Sequence, residues 1–107
     1  MSQFDEREKA AENKFSHNKE LEFKATARRN KLLGHWAAGL MGFEGEAVDA
    51  YAREVIESDF EETGDDDVYR KVKGDLDTKG INQSEHQIRR QMEDLMNTAL
   101  EQVKAEI

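Results

Sequence analysis

From Leu21 to Gly42 the larger apolar residues recur three and four positions apart. Leu32, Trp36 and Leu40 fall on one line and Leu33, Ala37 and Met41 on the next, a broad stripe on a helix that runs to Met41. Trp36, the single tryptophan, lies mid-stripe and is expected to anchor the packing, with Lys24, Arg28, Arg29 and Lys31 mostly off the stripe. Gly34 and Gly39 each cost roughly 1 kcal/mol relative to Ala inside a helix, so either another backbone comes close there or the helix is loose at that end. Gly42 and Gly45 end the element.

A second amphipathic helix is predicted over Glu46 to Phe60, with Val48, Tyr51, Ala52, Val55, Ile56 and Phe60 on its inner face. A break at EETG follows. Asp65, Asp66 and Asp67 supply an N-cap and first-turn negative charge for a third helix, whose inner residues are Val68, Tyr69, Val72 and Leu76 and which ends at Lys79 and Gly80. Ser84 and Gln87 have the spacing of a capping box. The fourth helix, Glu85 to Glu106, turns Ile88, Met92, Leu95, Met96, Ala99 and Val103 inward.

The residues before Leu21 break this pattern. Phe4, Ala11 and Phe15 fall on one narrow helical line amid charged and amide side chains, too little apolar surface to hold some eighteen residues against the entropy of ordering them. The expected architecture is all-α: a small antiparallel four-helix bundle over 19–107, with residues 1–18 as a mobile N-terminal arm. Such an arm is either a frayed terminus or a segment that becomes helical in a partner's groove with the two phenylalanines as anchors.

Composition narrows the function. At 107 residues there is room for one core. With no Pro and 37% charged residues, nothing competes with the helical reading. The absence of Cys removes disulfides, zinc-finger spacing and thiol nucleophiles, and fits a reducing compartment. No apolar run approaches the roughly 20 residues that span a bilayer, so a cytoplasmic protein with no direct membrane insertion is expected. The net charge of -8 divides into +2 over residues 1–35 and -10 over 36–107, which argues against nucleic acid as a partner. Lys24, Arg28, Arg29 and Lys31 read more naturally as a solvated helix face pairing with acids of the bundle than as a phosphate site.

Candidate chemistry is sparse. Asp75, Asp77, Gly80, Asn82 and Glu85 imitate part of a calcium loop, but Lys79 stands where an acid belongs and His86 where the bidentate Glu should be. His17, His35 and His86 lack a second ligand at metal-pair spacing, and Gly39, Gly42 and Gly45 are not followed by the Lys of a P-loop. No catalytic triad or paired acid and base assembles, so the residues themselves describe a helical binding or regulatory module, not an enzyme.

The runs FKATARRNKLLGHWAAGLMG and SDFEETGDDDVYRKVKGDL, with the opening FDEREKAAENKF, closely resemble the zeta subunit family, the inhibitor of the F-type ATP synthase of alphaproteobacteria. The likeness extends from Phe4 into the last helix. It implies a four-helix bundle, a monomer when free, whose N-terminal arm becomes helical at a catalytic interface between the α and β subunits and reaches the rotor. It also implies that Phe4, Asp5, Arg7, Glu8, Lys9, Lys14 and Phe15 lie in the inhibitory arm, without ranking them. Some members bind adenine nucleotides weakly when free, so the alternative function is a small nucleotide-binding bundle with an incidental arm. No cofactor is otherwise expected.

Overall fold

Ser84 shows how local chemistry starts an element here: its hydroxyl accepts from the Gln87 backbone N–H at 3.1 Å while its own N–H donates to the Gln87 side chain at 2.9 Å, closing the predicted capping box. In the computed structural model, which describes residues 2–60 and 64–106 with side chains from Lys19 onward, this box opens α4 (Glu85–Ala105). The preceding elements are α1 (Ser2–Leu40), α2 (Glu46–Ser58) and α3 (Asp66–Thr78). Two helix ends are closed by glycines with positive φ. Gly42 (φ 80°) and Gly80 (φ 74°) each allow a Schellman turn, in which Phe43 N–H reaches the Ala38 carbonyl at 2.9 Å and Ile81 N–H the Leu76 carbonyl at 2.8 Å.

Contacts between helices fix their directions. Along α1 and α2, Asn30 meets Asp59, Gly34 meets Ala52 and His35 meets Asp49. Tyr51 and Glu54 of α2 meet Asp75 and Lys71 of α3, and Asp66 of α3 meets Arg89 of α4. Arg28 of α1 bonds Gln102 and Glu106 near the end of α4. Helices α1 and α2, and α2 and α3, therefore run antiparallel, and α4 packs back on α1 to complete the expected small four-helix bundle. Helix α1 packs on all three of the others, most extensively on α2 and α4.

The core has two parts. Leu33, Ala37 and Ala38 of α1 join Tyr51, Val55, Val68, Val72, Leu76, Ile88 and Met92 in the larger one; Ala25, Ala99 and Val103, flanked by Leu21, Leu32, Met96 and Leu100, form the smaller. Gly34 answers its own question. A Cβ there would stand 2.6 Å from the Ala52 Cα, so the glycine exists to let α2 approach, whereas Gly39 has open space around it.

Three expectations need correction. Trp36 is half-buried and packs against the edge of the larger cluster, not at its centre, because two residues on from Gly34 it lies about 200° around α1 from the face that meets Ala52. Leu40, set on the same stripe, is exposed at the helix end. Phe60 is 82% exposed, since α2 stops at Ser58 and the chain leaves the helix before the phenylalanine could return to the inner face.

Candidate functional site

The arm residues Phe4, Asp5, Arg7, Glu8, Lys9, Lys14 and Phe15 lie outside the residues whose side chains the structure describes. Helix α1 is continuous from Ser2, so they belong to the same helix that runs into the bundle, and the site is approached from its base.

That base is a polar junction. Arg29, grouped with the solvated cations by sequence, is only 2% exposed. Its Nε donates to Asn30 Oδ1 at 2.7 Å and its Nη2 to Asp65 Oδ1 at 2.8 Å, while Asn30 Nδ2 donates to Asp59 Oδ2 at 3.1 Å. A guanidinium is always charged and costs much free energy to bury, so the chain supplies a carboxylate from 36 residues away. This explains why Asp65 occupies the N-cap of α3 without capping it. The three aspartates expected to act alike divide the work: Asp65 neutralises Arg29, Asp66 pairs with Arg89 at 3.1 Å, and Asp67 accepts the Val68 N–H at 2.8 Å.

Asp59 is the least comfortable member of this junction. Burial pushes its carboxyl above the usual range, helped by the charges of Asp67 and Asp65, and outweighs the opposing pull of the Asn30 hydrogen bond and of Arg29. It also sits at the C-terminal end of α2, where the helix dipole disfavours an anion. With its folded pKa raised, the native state holds the proton more tightly than the unfolded chain. The contribution therefore favours folding at low pH and is lost as pH rises through the folded pKa. Asp59→Asn keeps an acceptor for Asn30, so its melting temperature should exceed that of the native chain at neutral pH, with the gain shrinking at about pH 4. A lower melting temperature at neutral pH would refute this account.

Other candidate groups are taken up by the fold. Asp75 accepts from the Tyr51 hydroxyl at 2.9 Å and from Lys71 at 2.9 Å; Asp77 pairs with Lys73 and Glu85 with Arg89, so three acids of the calcium-like run engage protein partners. Burial, then the Asp75 hydrogen bond and the nearby acids, raise the Tyr51 phenol. Burial alone would lower the Lys71 ammonium, but its bonds to Glu54 and Asp75 prevail and hold it above its ordinary value. His35 Nε2 faces Asp49 at 3.4 Å and His86 is exposed at the start of α4; His17 lies outside the described side chains. Among the described residues no group of three or more His, Cys, Asp or Glu is placed to hold a metal, and no helix is long and apolar enough to cross a membrane. A groove of about 270 Å³ runs beside Arg29, Arg89, Met92 and Met96, with Asp65 and Glu93 in its wall. Both guanidiniums there already face carboxylates.

The described residues form a helical bundle in which the buried Arg29 is matched by Asp65 and the longest helix, α1, runs from Ser2 to Leu40. A family model for the ATPase inhibitor subunit zeta matches residues 1–102, and the chain belongs to that family. It is also similar to a protein solved by solution NMR, 48% identical, with a TM-score of 0.72 over 81% of this chain and 99% of that one. No functionally curated protein matches the chain.

Proposed function

We propose that this chain blocks ATP hydrolysis by the F-type ATP synthase by placing residues 1–18 as a helix at a catalytic interface between the α and β subunits, close to the rotor. The partner is the cytoplasmic catalytic head, and the bundle, a monomer when free, presents the arm. The observation that carries this reading is that the family match begins at residue 1 and so includes the arm. The placing of Phe4, Ala11 and Phe15 on one helical line supports it, because a segment with so little apolar surface gains its order from a groove on another protein. Leu21 packs against the smaller core cluster, and the division that goes with this proposal is 1–18 for the partner and 19–107 for the bundle.

Phe4→Asp together with Phe15→Asp removes both anchors and keeps the length. Two buried aromatic anchors are worth about 2 kcal/mol each at an interface, so the concentration for half-inhibition of the isolated head should rise by roughly a thousandfold. The melting temperature should not move. Native inhibition by the double variant would overturn the proposal.

A further inference from the structure

Where α1 leaves the bundle, it carries an outward face that the fold does not use. Phe23 is 78% exposed, one of three large exposed apolar side chains among the described residues, and Ala27 is exposed one turn beyond it. Lys19 and Lys31 are exposed one turn before and one turn after this pair, so Lys19, Phe23, Ala27 and Lys31 form a single i, i+4 ridge. Lys24 flanks it. None of the three lysines makes an ion pair or hydrogen bond among the described residues, whereas Arg28, Arg29, Lys71, Lys73 and Arg89 all do. Glu20 lies on the same arc and Glu22 beside Phe23, so the three lysines and two glutamates leave a net charge of +1 on a chain of -8. A groove of about 390 Å³ lined by Lys19, Glu22, Phe23, Thr26 and Asp59 opens beside the phenylalanine. The ridge has one further property: counted back in steps of four, it passes through Phe15 and Ala11, two of the three apolar residues of the arm.

We propose that this face of α1, centred on Phe23 and rimmed by Lys19, Lys24 and Lys31, is a second contact surface for the same partner enzyme, docking on a patch of that enzyme with an apolar centre and acidic rim. The inference rests on the reading of the arm as the inhibitory segment and extends it into the bundle. Two arguments select the occupant. Continuity is the first, because a helix that seats Phe15 in a groove brings the next members of its own ridge to the same surface. Charge is the second. Lysines left unpaired in a protein with an excess of acid favour an acidic counterpart, which contributes to association rate and orientation more than to the lifetime of the complex.

The test uses the full chain and the isolated catalytic head, reading both binding and inhibition. Phe23→Asp, with the arm intact, should raise the half-inhibitory concentration about tenfold, the effect of losing one exposed anchor, with an unchanged melting temperature. Lys24→Glu with Lys31→Glu should weaken binding at low ionic strength and recover toward native binding as salt is added, while Lys104→Glu on α4 should behave as the native chain. If Phe23→Asp and the lysine pair both inhibit as the native chain does while the arm variant fails, the second contact is refuted and the arm reading stands. A native chain that neither binds nor inhibits refutes both. Weakening that follows a shift in self-association on a sizing column would assign the face to a second copy of the chain and overturn the proposal.

Discussion

Removing Met1 to Asn18 should reduce inhibition of ATP hydrolysis to background while the melting temperature stays within a few degrees of the full-length chain. The truncated helix keeps Ala25, Leu33, Ala37 and Ala38, the fully buried apolar residues that α1 gives to the described core. What it loses is the segment proposed to enter the enzyme. The two readouts separate the possibilities: a truncated chain that still inhibits would place the activity on the bundle. One that unfolds would show that residues 1–18 contribute to the core and that the boundary at 18 is misplaced. Titrating the truncated chain against the enzyme while following its melting by circular dichroism decides between them.

The largest loss of stability should come from Gly34→Leu. Leucine is a better helix former than glycine by close to 1 kcal/mol, so the local effect is favourable and any destabilisation is steric. The first carbon of the new side chain would already lie 2.6 Å from a backbone atom of α2, which a rotamer change cannot relieve, so α1 and α2 must separate and the seam of Ala37, Ala38 and Ala52 must open. Overpacking of this kind costs about 3 kcal/mol, which in a domain of this size lowers the melting temperature by on the order of 10–20 °C. Gly39→Ala provides the contrast. It lies on the same helix with nothing near its missing Cβ and should stabilise by about 0.5–1 kcal/mol. A Gly34→Leu variant that melts with the native protein would mean that the two helices are not held at this distance.

The difference between those glycines shows where sequence reading stops. Periodicity, the capping box and the glycine stops are local signals, so four helices, their order and most of their inner faces were legible, including Val68, Val72, Leu76, Ile88, Met92, Ala99 and Val103. Which glycine meets a backbone depends on a helix that begins twelve residues after Gly34, and no local pattern reports it. Arg29 was misread for the same reason. Its burial requires Asn30 beside it and Asp65 from another helix, and the charge alone placed it at the surface. Trp36 and Phe60 show that size and hydrophobicity alone do not report depth. The indole lies well around α1 from the face that meets α2, and a helix that ends at Ser58 releases the phenylalanine. The arm's oddity was visible in its thin line of apolar residues, but the identity of its partner came from resemblance, since no arrangement of Phe4 and Phe15 specifies an enzyme.

The place of α1 as the helix on which the others pack bears on how the chain matures on a ribosome. Its pairing with α2 closes over a short loop, so Gly34 can find Ala52 soon after the latter emerges. The other side of α1 waits until α4 has emerged, because Ala25 is covered by Ala99 and Val103 and Arg28 is held by Gln102 and Glu106. A nascent chain halted before α4 would thus carry a half-built hairpin with Leu21, Ala25 and Leu32 in water, a sticky species suited to capture by chaperones. Emergence of α4 is the event that converts it into the bundle.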